Sequence, residues 1–448
     1  MVRFINRTYE MALLSEEWAK KGARFFVIYG RRRIGKTRLI EEFMKGKNGL
    51  FYVAEDTNKA VQIRELKEKF AGFFKDDLLK RLDITNWGDF FAYLEKIVPR
   101  AERFYIAIDE FSFIVKNDKG FASAIQKFWD SFLSKTNAFL LVSGSLFGVM
   151  SEDVLSSSSP LYGRRTRDMR LRELRFRHSC EFLDMPAEEK VKVYMAIGGI
   201  PEYLLRAKDY KGADEFFKKE FISRDGYFYR EPQYLLSREL KEIKTYFTIL
   251  NAIAYGNTRP TDIANFAGIG TREIYPYLEA LEEFGFIERS VPITGDKKSG
   301  IYVIRDAMFD FWFNFVFKNK EYIEREQAKI EKTDLNAYFG KRFEFFIRDD
   351  VLPGLLPEAR IGRWWYKDTE IDLVALEEEK AFFFECKWSD LKESEARGIL
   401  AALREKAKLV GIKDNKAEIF GLFAKKIEGK EKLLKEGFMA FDLEDALK

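Results

Sequence analysis

Gly30-Arg31-Arg32-Arg33-Ile34-Gly35-Lys36-Thr37 is the stretch whose reading decides the fold. It fits the pattern G-x-x-x-x-G-K-[ST] and lies between an apolar run, Phe25 to Tyr29, and a helical pattern, Arg38 to Met44. That strand–loop–helix context separates a phosphate-binding loop from a chance Gly-rich turn. Gly30 and Gly35 let backbone amides close around phosphate oxygens with no Cβ in the way, and the helix N-terminus adds partial positive charge. In this arrangement Lys36 reaches the β- and γ-phosphates and the Thr37 hydroxyl sits on Mg²⁺. Arg33 within the loop and Arg38 just beyond it belong to the same candidate nucleotide site.

An acidic partner stands downstream. Arg103-Phe104-Tyr105-Ile106-Ala107-Ile108-Asp109-Glu110 reads as a buried strand ending in two acids, a Walker B signature. Asp109 is placed to hold Mg²⁺ through water, and Glu110 to orient or deprotonate the attacking water. Leu50 to Val53 reads as another strand, with helical patterns over 58–75 and 87–98. A further strand, Ala138 to Val142, runs into Ser143-Gly144-Ser145, where a hydroxyl can sense the γ-phosphate; Ser143 is the first candidate and Ser145 the second. Before the first strand, Phe4, Asn6 and Arg7 are candidates to pack on the base, with core packing the competing role for Phe4. Residues 164–177 carry seven arginines against Asp168 and Glu173. Alternation over Met169 to Arg172 predicts a strand with one basic face. Arg164 as an arginine finger, phosphate contacts with nucleic acid, and a solvated face all remain open for this cluster.

Together Asn6-Arg7, the phosphate loop, Ile108-Asp109-Glu110-Phe111, Ser143-Gly144-Ser145 and Pro160-Leu161-Tyr162-Gly163-Arg164 resemble the archaeal ATPase family. This is a branch of the additional-strand P-loop ATPases related to AAA+ and STAND proteins. Gly198-Gly199-Ile200-Pro201 resembles the Gly-x-Pro element of that group's helical lid, whose proline contacts the nucleotide side. The resemblance covers roughly the first 235 residues. It implies ATP as ligand and a five-stranded parallel sheet with the P-loop and Walker B strands adjacent.

From Glu239 the pattern changes to three helices and two strands, Phe286 to Arg289 and Gly300 to Ile304, joined by a polar tip holding Lys297 and Lys298. This is the order of a winged helix-turn-helix. Its third helix, Thr271 to Leu281, offers Arg272 against Glu273 and Glu279, and Pro276 predicts a kink. DNA contact through the tip lysines and Arg272, and a protein-interaction role, are both open. Asp306 to Lys320 reads as a buried aromatic helix, continued by a charged helix over Glu321 to Lys332.

Beyond Asp334 the pattern predicts a helix, Asn336 to Val351, then strands at Ile361 to Tyr366, Glu370 to Leu376 and Ala381 to Trp388. A helix over 393–409 and a strand, Ala417 to Phe423, follow. With Asp372 and Glu385-Cys386-Lys387, this order resembles the restriction-endonuclease-like PD-(D/E)xK fold, which the archaeal ATPase family frequently carries after a winged helix. Residues two apart on a strand share a face, so Glu385 and Lys387 point together. Asp372 and Glu385 are then candidate Mg²⁺ ligands, Lys387 activates or stabilises the water attacking a phosphodiester, and Glu344 is an extra acid. A nuclease fold without cleavage stays open.

The whole chain of 448 residues suggests about three domains. Its net charge of +4 is too small to argue for nucleic acid by itself. Cys180, Cys386 and the single His178 have no metal-type spacing, which excludes zinc frameworks and disulfide scaffolds. No stretch approaches the ~20 apolar residues of a membrane span, and a reducing cytoplasm is the expected compartment. The expected class is α/β multidomain: a P-loop ATPase core (1–177), helical lid (178–238), winged helix (239–305), connecting helix (306–333) and nuclease-like domain (334–448). The function this implies is an ATP- and Mg²⁺-dependent ATPase acting on DNA, with a homo-oligomer or a protein partner possible on the sequence. The alternative is a STAND-like ATP switch that binds a protein partner and carries an inactive nuclease fold.

Overall fold

The structure, a computed structural model, describes residues 4–240, 242–295, 299–412 and 416–446. Lys297 and Lys298 lie outside the described residues. The chain is α/β and divides into two compact units, one running to Glu173 and including Ile200–Glu202, the other comprising Leu174–Gly199 and everything from Tyr203.

The first unit is built on a parallel sheet of β1 (Arg24–Tyr29), β2 (Gly49–Val53), β3 (Phe104–Asp109), β4 (Ala138–Gly144) and β5 (Arg167–Arg170). The order is β2-β3-β4-β1-β5, and every neighbouring pair is parallel. A parallel sheet is covered on both faces, so its inner strands read as continuous apolar runs. Every residue of β3 and β4 is buried. Phe25 and Val27 pack on one face with Phe90, Phe111 and Trp129. Phe26 stacks on Phe139 at the other, where Trp18 of α1 (Thr8–Ala19) and Phe43 of α2 (Lys36–Met44) close on Phe139.

This order corrects the expected adjacency of the P-loop and Walker B strands: β4 lies between β1 and β3. Sequence order says nothing about lateral order in a sheet, and an interposed strand leaves both functional loops at the same, C-terminal edge. The basic strand also begins earlier than expected, at Arg167, because it pairs in register with Phe26 to Tyr29. Helices at Phe111–Asn117 and Gly120–Ser131 follow β3 directly; their apolar positions were not read as helical from the sequence.

In the second unit, helices Ile243–Ala254, Pro260–Ala267 and Ile274–Glu283 precede an antiparallel pair, β6 (Ile287–Ser290) and β7 (Ile301–Ile304). Pro276 does not kink its helix. It falls in the first turn, where the missing N–H has no intrahelical partner to lose. The aromatic run forms a buried helix, Ala307–Phe311, that continues as a π-helical turn, Trp312–Phe317. The charged helix expected to reach Lys332 stops at Glu324, because Glu326 takes a left-handed conformation (φ 58°) and Gln327 N–H bonds back to Tyr322.

A helix at Lys332–Phe346 leads into a mixed sheet of β8 (Arg360–Tyr366), β9 (Thr369–Leu376), β10 (Lys380–Leu391), β11 (Ala417–Ile427) and β12 (Met439–Phe441). The order is β12-β11-β10-β9-β8, antiparallel from β8 to β10 and parallel from β10 to β12. Helix Glu393–Ala407 makes the crossover that a parallel β10–β11 pair requires. Among the described residues no helix is long and apolar enough to cross a membrane.

Candidate functional site

At the C-terminal edge of the parallel sheet, Gly35 ends the loop with φ 92° and Lys36 opens α2. Lys36 is buried, and its Nζ donates to the carbonyls of Gly30 (2.9 Å) and Arg31 (3.0 Å), spanning the loop's mouth. The Thr37 hydroxyl donates to Asp109 Oδ2 and the Ser143 hydroxyl to Asp109 Oδ1, so one fully buried carboxylate gathers side chains from α2, β3 and β4. Glu110 follows with φ 52°, a left-handed conformation rare for a non-glycine residue. Its Oε2 accepts from the Ser145 hydroxyl at 2.6 Å and the Ser145 N–H at 3.3 Å. The two serines thus bond different acids, Ser143 to Asp109 and Ser145 to Glu110.

The oxygens of Thr37 and Asp109 are hard donors of the kind Mg²⁺ takes, and the glycine-lined loop ends at a helix N-terminus, so the residues present fit a magnesium–nucleoside triphosphate. Gly30 has no room to spare. A Cβ there would lie 2.6 Å from the Leu171 carbonyl oxygen. Gly30→Ala is expected to cost about 1–3 kcal/mol of stability and to weaken nucleotide binding; a thermal melt with and without ATP checks both.

Arg7 contributes in a way the sequence did not signal. Buried in the same unit, it donates to Glu10 (2.9 Å), to the Arg172 carbonyl (2.8 Å) and to the Ile34 carbonyl inside the phosphate loop (3.0 Å). Burial pulls its guanidinium below the ordinary range, with Glu10 opposing the shift. It braces the loop. Pro201 also stands beside it, since a Cβ on Gly35 would lie 3.9 Å from Pro201 Cγ. Arg164 is engaged elsewhere: it forks onto Asp130 (3.0–3.2 Å) and bonds the Pro160 and Tyr162 carbonyls. Arg38 pairs with Glu41 and Glu42 along its own helix, and Arg33 takes a left-handed turn of the loop, φ 68°.

The second unit brings together the other set. The β9–β10 register runs as far as Leu373 against Phe384, and Asp372 and Glu385 are the next residues along the two strands. Both carboxylates are buried. Lys387 Nζ lies 2.6 Å from Glu385 Oε2 and 3.3 Å from Asp372 Oδ2, and the Cys386 N–H donates to Asp372 Oδ2 at 2.8 Å. Lys406 of helix Glu393–Ala407 takes the remaining oxygen, Glu385 Oε1, at 2.8 Å. Burial and then the Glu385 charge raise Asp372 above the usual carboxylate range, whereas Lys387 and Lys406 outweigh burial and hold Glu385 below it. Burial also works against the Lys387 ammonium, but Asp372 and Glu385 hold it above its ordinary value. Glu344 is pushed up to about 7, first by burial and then by Asp372, with Arg363 3.3 Å away. Among the described residues no group of three or more His, Cys, Asp and Glu side chains is spaced to hold a metal ion. Asp372 and Glu385 form an acidic pair with hard oxygen donors, balanced by two lysines.

Sequence reading missed Lys406. It is twenty-one positions from Glu385 and joins it only because the crossover helix lies over β10. The one available signal was its place beside Leu403 and Ala407, which face inward.

Residues 4–207 match a family described as an ATPase domain predominantly from Archaea, and residues 312–399 match one described as archaeal and bacterial proteins of unknown function. An uncharacterized protein of Methanocaldococcus jannaschii is 35% identical over 99% of this chain and 99% of its own length. An uncharacterized ATP-binding protein of the same organism is 43% identical over 47 residues, 10% of this chain and 80% of that protein. Among solved structures, a Walker-type ATPase of Pyrococcus abyssi is similar over 69% of this chain and 96% of that one, at 20% identity and a TM-score of 0.48.

Proposed function

Since the chain belongs to the family of ATPases found predominantly in Archaea, we propose that it binds and hydrolyses ATP at the P-loop and acts on DNA through its C-terminal part. The observation that carries the reading is the meeting of Thr37, Ser143 and Asp109 beside Lys36, with Glu110 held next to them by Ser145. Bound Mg-ATP supplies the γ-phosphoryl group and a divalent charge. Lys36 and the loop amides would bind the phosphates, and Thr37 and Asp109 would hold the cation. Glu110 orients the attacking water and accepts its proton, while Ser145 fixes one carboxylate oxygen and so the direction of the other. Pro201 stands beside Gly35 of the loop. Arg164 would need to leave Asp130 to reach any nucleotide.

The test is nucleotide binding and phosphate release by purified protein. Lys36→Ala is expected to lower ATP affinity roughly 10- to 100-fold, the worth of losing a charged hydrogen-bonding partner. Wild-type affinity in that variant would sink the reading.

Within it, residues 1–177 form the ATPase core, 178–238 a helical lid, 239–305 a winged helix, 306–333 a connector and 334–448 a nuclease-like domain. Three strands and a helical crossover carrying Asp372, Glu385 and Lys387 speak for a Mg-dependent phosphodiesterase site. The carboxylates would hold the cation, with Lys406 withdrawing from Glu385. Lys387 would then steady the charge that gathers on the phosphate, and Glu344 would assist from its helix.

One observation favours the STAND-like switch instead. Helix Ile274–Glu283, which a DNA-reading winged helix would set in a groove, exposes Glu279, Glu282 and Glu283, with Arg272 and Glu273 just ahead of it. Such a face is repelled by phosphates. Salt-dependent duplex binding by the full chain separates the two readings.

A further inference from the structure

The edge strand β2 has β3 on one side and, among the described residues, no strand on the other. Its register tells which backbone groups are spoken for. Tyr105 N–H donates to the Asn48 carbonyl (3.1 Å) and Ala54 N–H to the Asp109 carbonyl (2.9 Å), so the even-numbered residues face β3. In a parallel ladder alternate residues turn the other way. The N–H and C=O groups of Gly49, Phe51 and Val53 therefore point outward.

Natural edges are blunted with lysine, proline or a bulge. Gly49-Leu50-Phe51-Tyr52-Val53 has none of these, and Val53 is 44% exposed. Beside this edge lies a cleft of about 440 Å³ between β2 and helix α3 (Lys59–Phe74). Phe51 and Val53 line it, and so do Glu55, Glu65 and Glu68, opposed only by Lys69. Glu65 and Glu68 are three apart on α3, where like charges destabilise a helix. Tyr52 hydroxyl holds Glu65 Oε2 at 2.9 Å, which orients that carboxylate without neutralising it. Glu55 and Glu68 form no ion pair among the described residues.

We propose that this edge is a docking site for an extended basic peptide of a partner protein. The peptide joins the sheet beside β2 and lays alternate Lys or Arg side chains against Glu65 and Glu68. Strand addition explains the open backbone groups, and the carboxylates select the charge; main-chain bonds give affinity and alternate side chains give specificity. Val53 lies opposite Asp109 in the β2–β3 register, so ATP affinity is measured in each variant as well, and the docking reading is tested by peptide binding that is lost while ATP affinity is kept.

The test uses the full chain and a labelled peptide of alternating Lys and Val, followed by fluorescence anisotropy. Saturable binding is expected. It should weaken about tenfold or more in the double variant Glu65→Lys/Glu68→Lys and also in Val53→Pro, which removes one outward N–H and no bond to β3. Matching melting curves establish that both variants are folded. A peptide of alternating Glu and Val should not bind. The proposal is overturned by absence of saturable binding, or by binding that Val53→Pro leaves intact. Full competition by spermidine would assign the cleft to small polycations instead. Self-association lost in Val53→Pro, with no peptide binding, would assign the edge to a second copy of this chain.

Discussion

Glu110→Gln is expected to lower ATP turnover by about 10²- to 10⁴-fold while leaving ATP affinity within a few-fold of wild type. The substitution is nearly isosteric. A glutamine oxygen can still accept from Ser145, which now donates to Glu110 Oε2 at 2.6 Å, and the left-handed backbone at this position is set by the turn between β3 and the following helix rather than by charge. What disappears is a carboxylate able to take a proton from water. Phosphate-binding residues are untouched, so a fluorescent nucleotide should titrate normally as phosphate release stops. Unchanged release would remove Glu110 from the mechanism and point to a different base. Reduced affinity alongside reduced turnover would mean that the strand end had rearranged.

Lys387→Ala carries the second large effect: an expected fall of about 10²- to 10³-fold in metal-dependent DNA cleavage, with DNA binding retained. Lys387 is the cation shared by Asp372 and Glu385. Removing it deprives the phosphate of a fixed positive charge, yet before metal binding Lys406 still pairs with Glu385, so the fold keeps its balance. Asp372→Ala should instead weaken Mg²⁺ binding itself. The measurement is cleavage of duplex, single-stranded and branched DNA with Mg²⁺ or Mn²⁺, with and without ATP. Wild-type protein that leaves every substrate intact would favour the switch reading, with the domain kept for binding.

The parts of these sites legible in the sequence are those whose chemistry is local. Gly30 to Thr37 is a single loop, and Asp109-Glu110 follows an apolar run that has no role except to be a buried strand; each motif is complete within a few residues. Glu385 and Lys387 were legible for the same reason, being two apart on one strand. What was not legible is lateral. That β4 separates β1 from β3 cannot be read from order along the chain. Lys406 and Arg363 reach their carboxylates across a sheet and a helix. Arg7 looked like a residue for the base, and its hydrogen bonds go to the loop. The division into units was also hidden, since Ile200–Glu202 belongs with the P-loop while the residues on either side do not. Three residues leave no compositional trace.

The position of β1 has a consequence for how the protein is made. It leaves the ribosome before the other strands of its sheet, and both of its neighbours, β4 and β5, come late. Phe139, which aligns with Arg24, emerges on the order of a hundred residues afterwards, and at ordinary elongation rates that is a wait of roughly 5 to 20 s. Through that interval Phe25-Phe26-Val27-Ile28 has neither edge partnered, although these are among the most deeply buried residues of the finished molecule. The nascent chain is thus a natural client for holding chaperones, and slowing translation beyond β1 should lower the yield of folded protein rather than raise it.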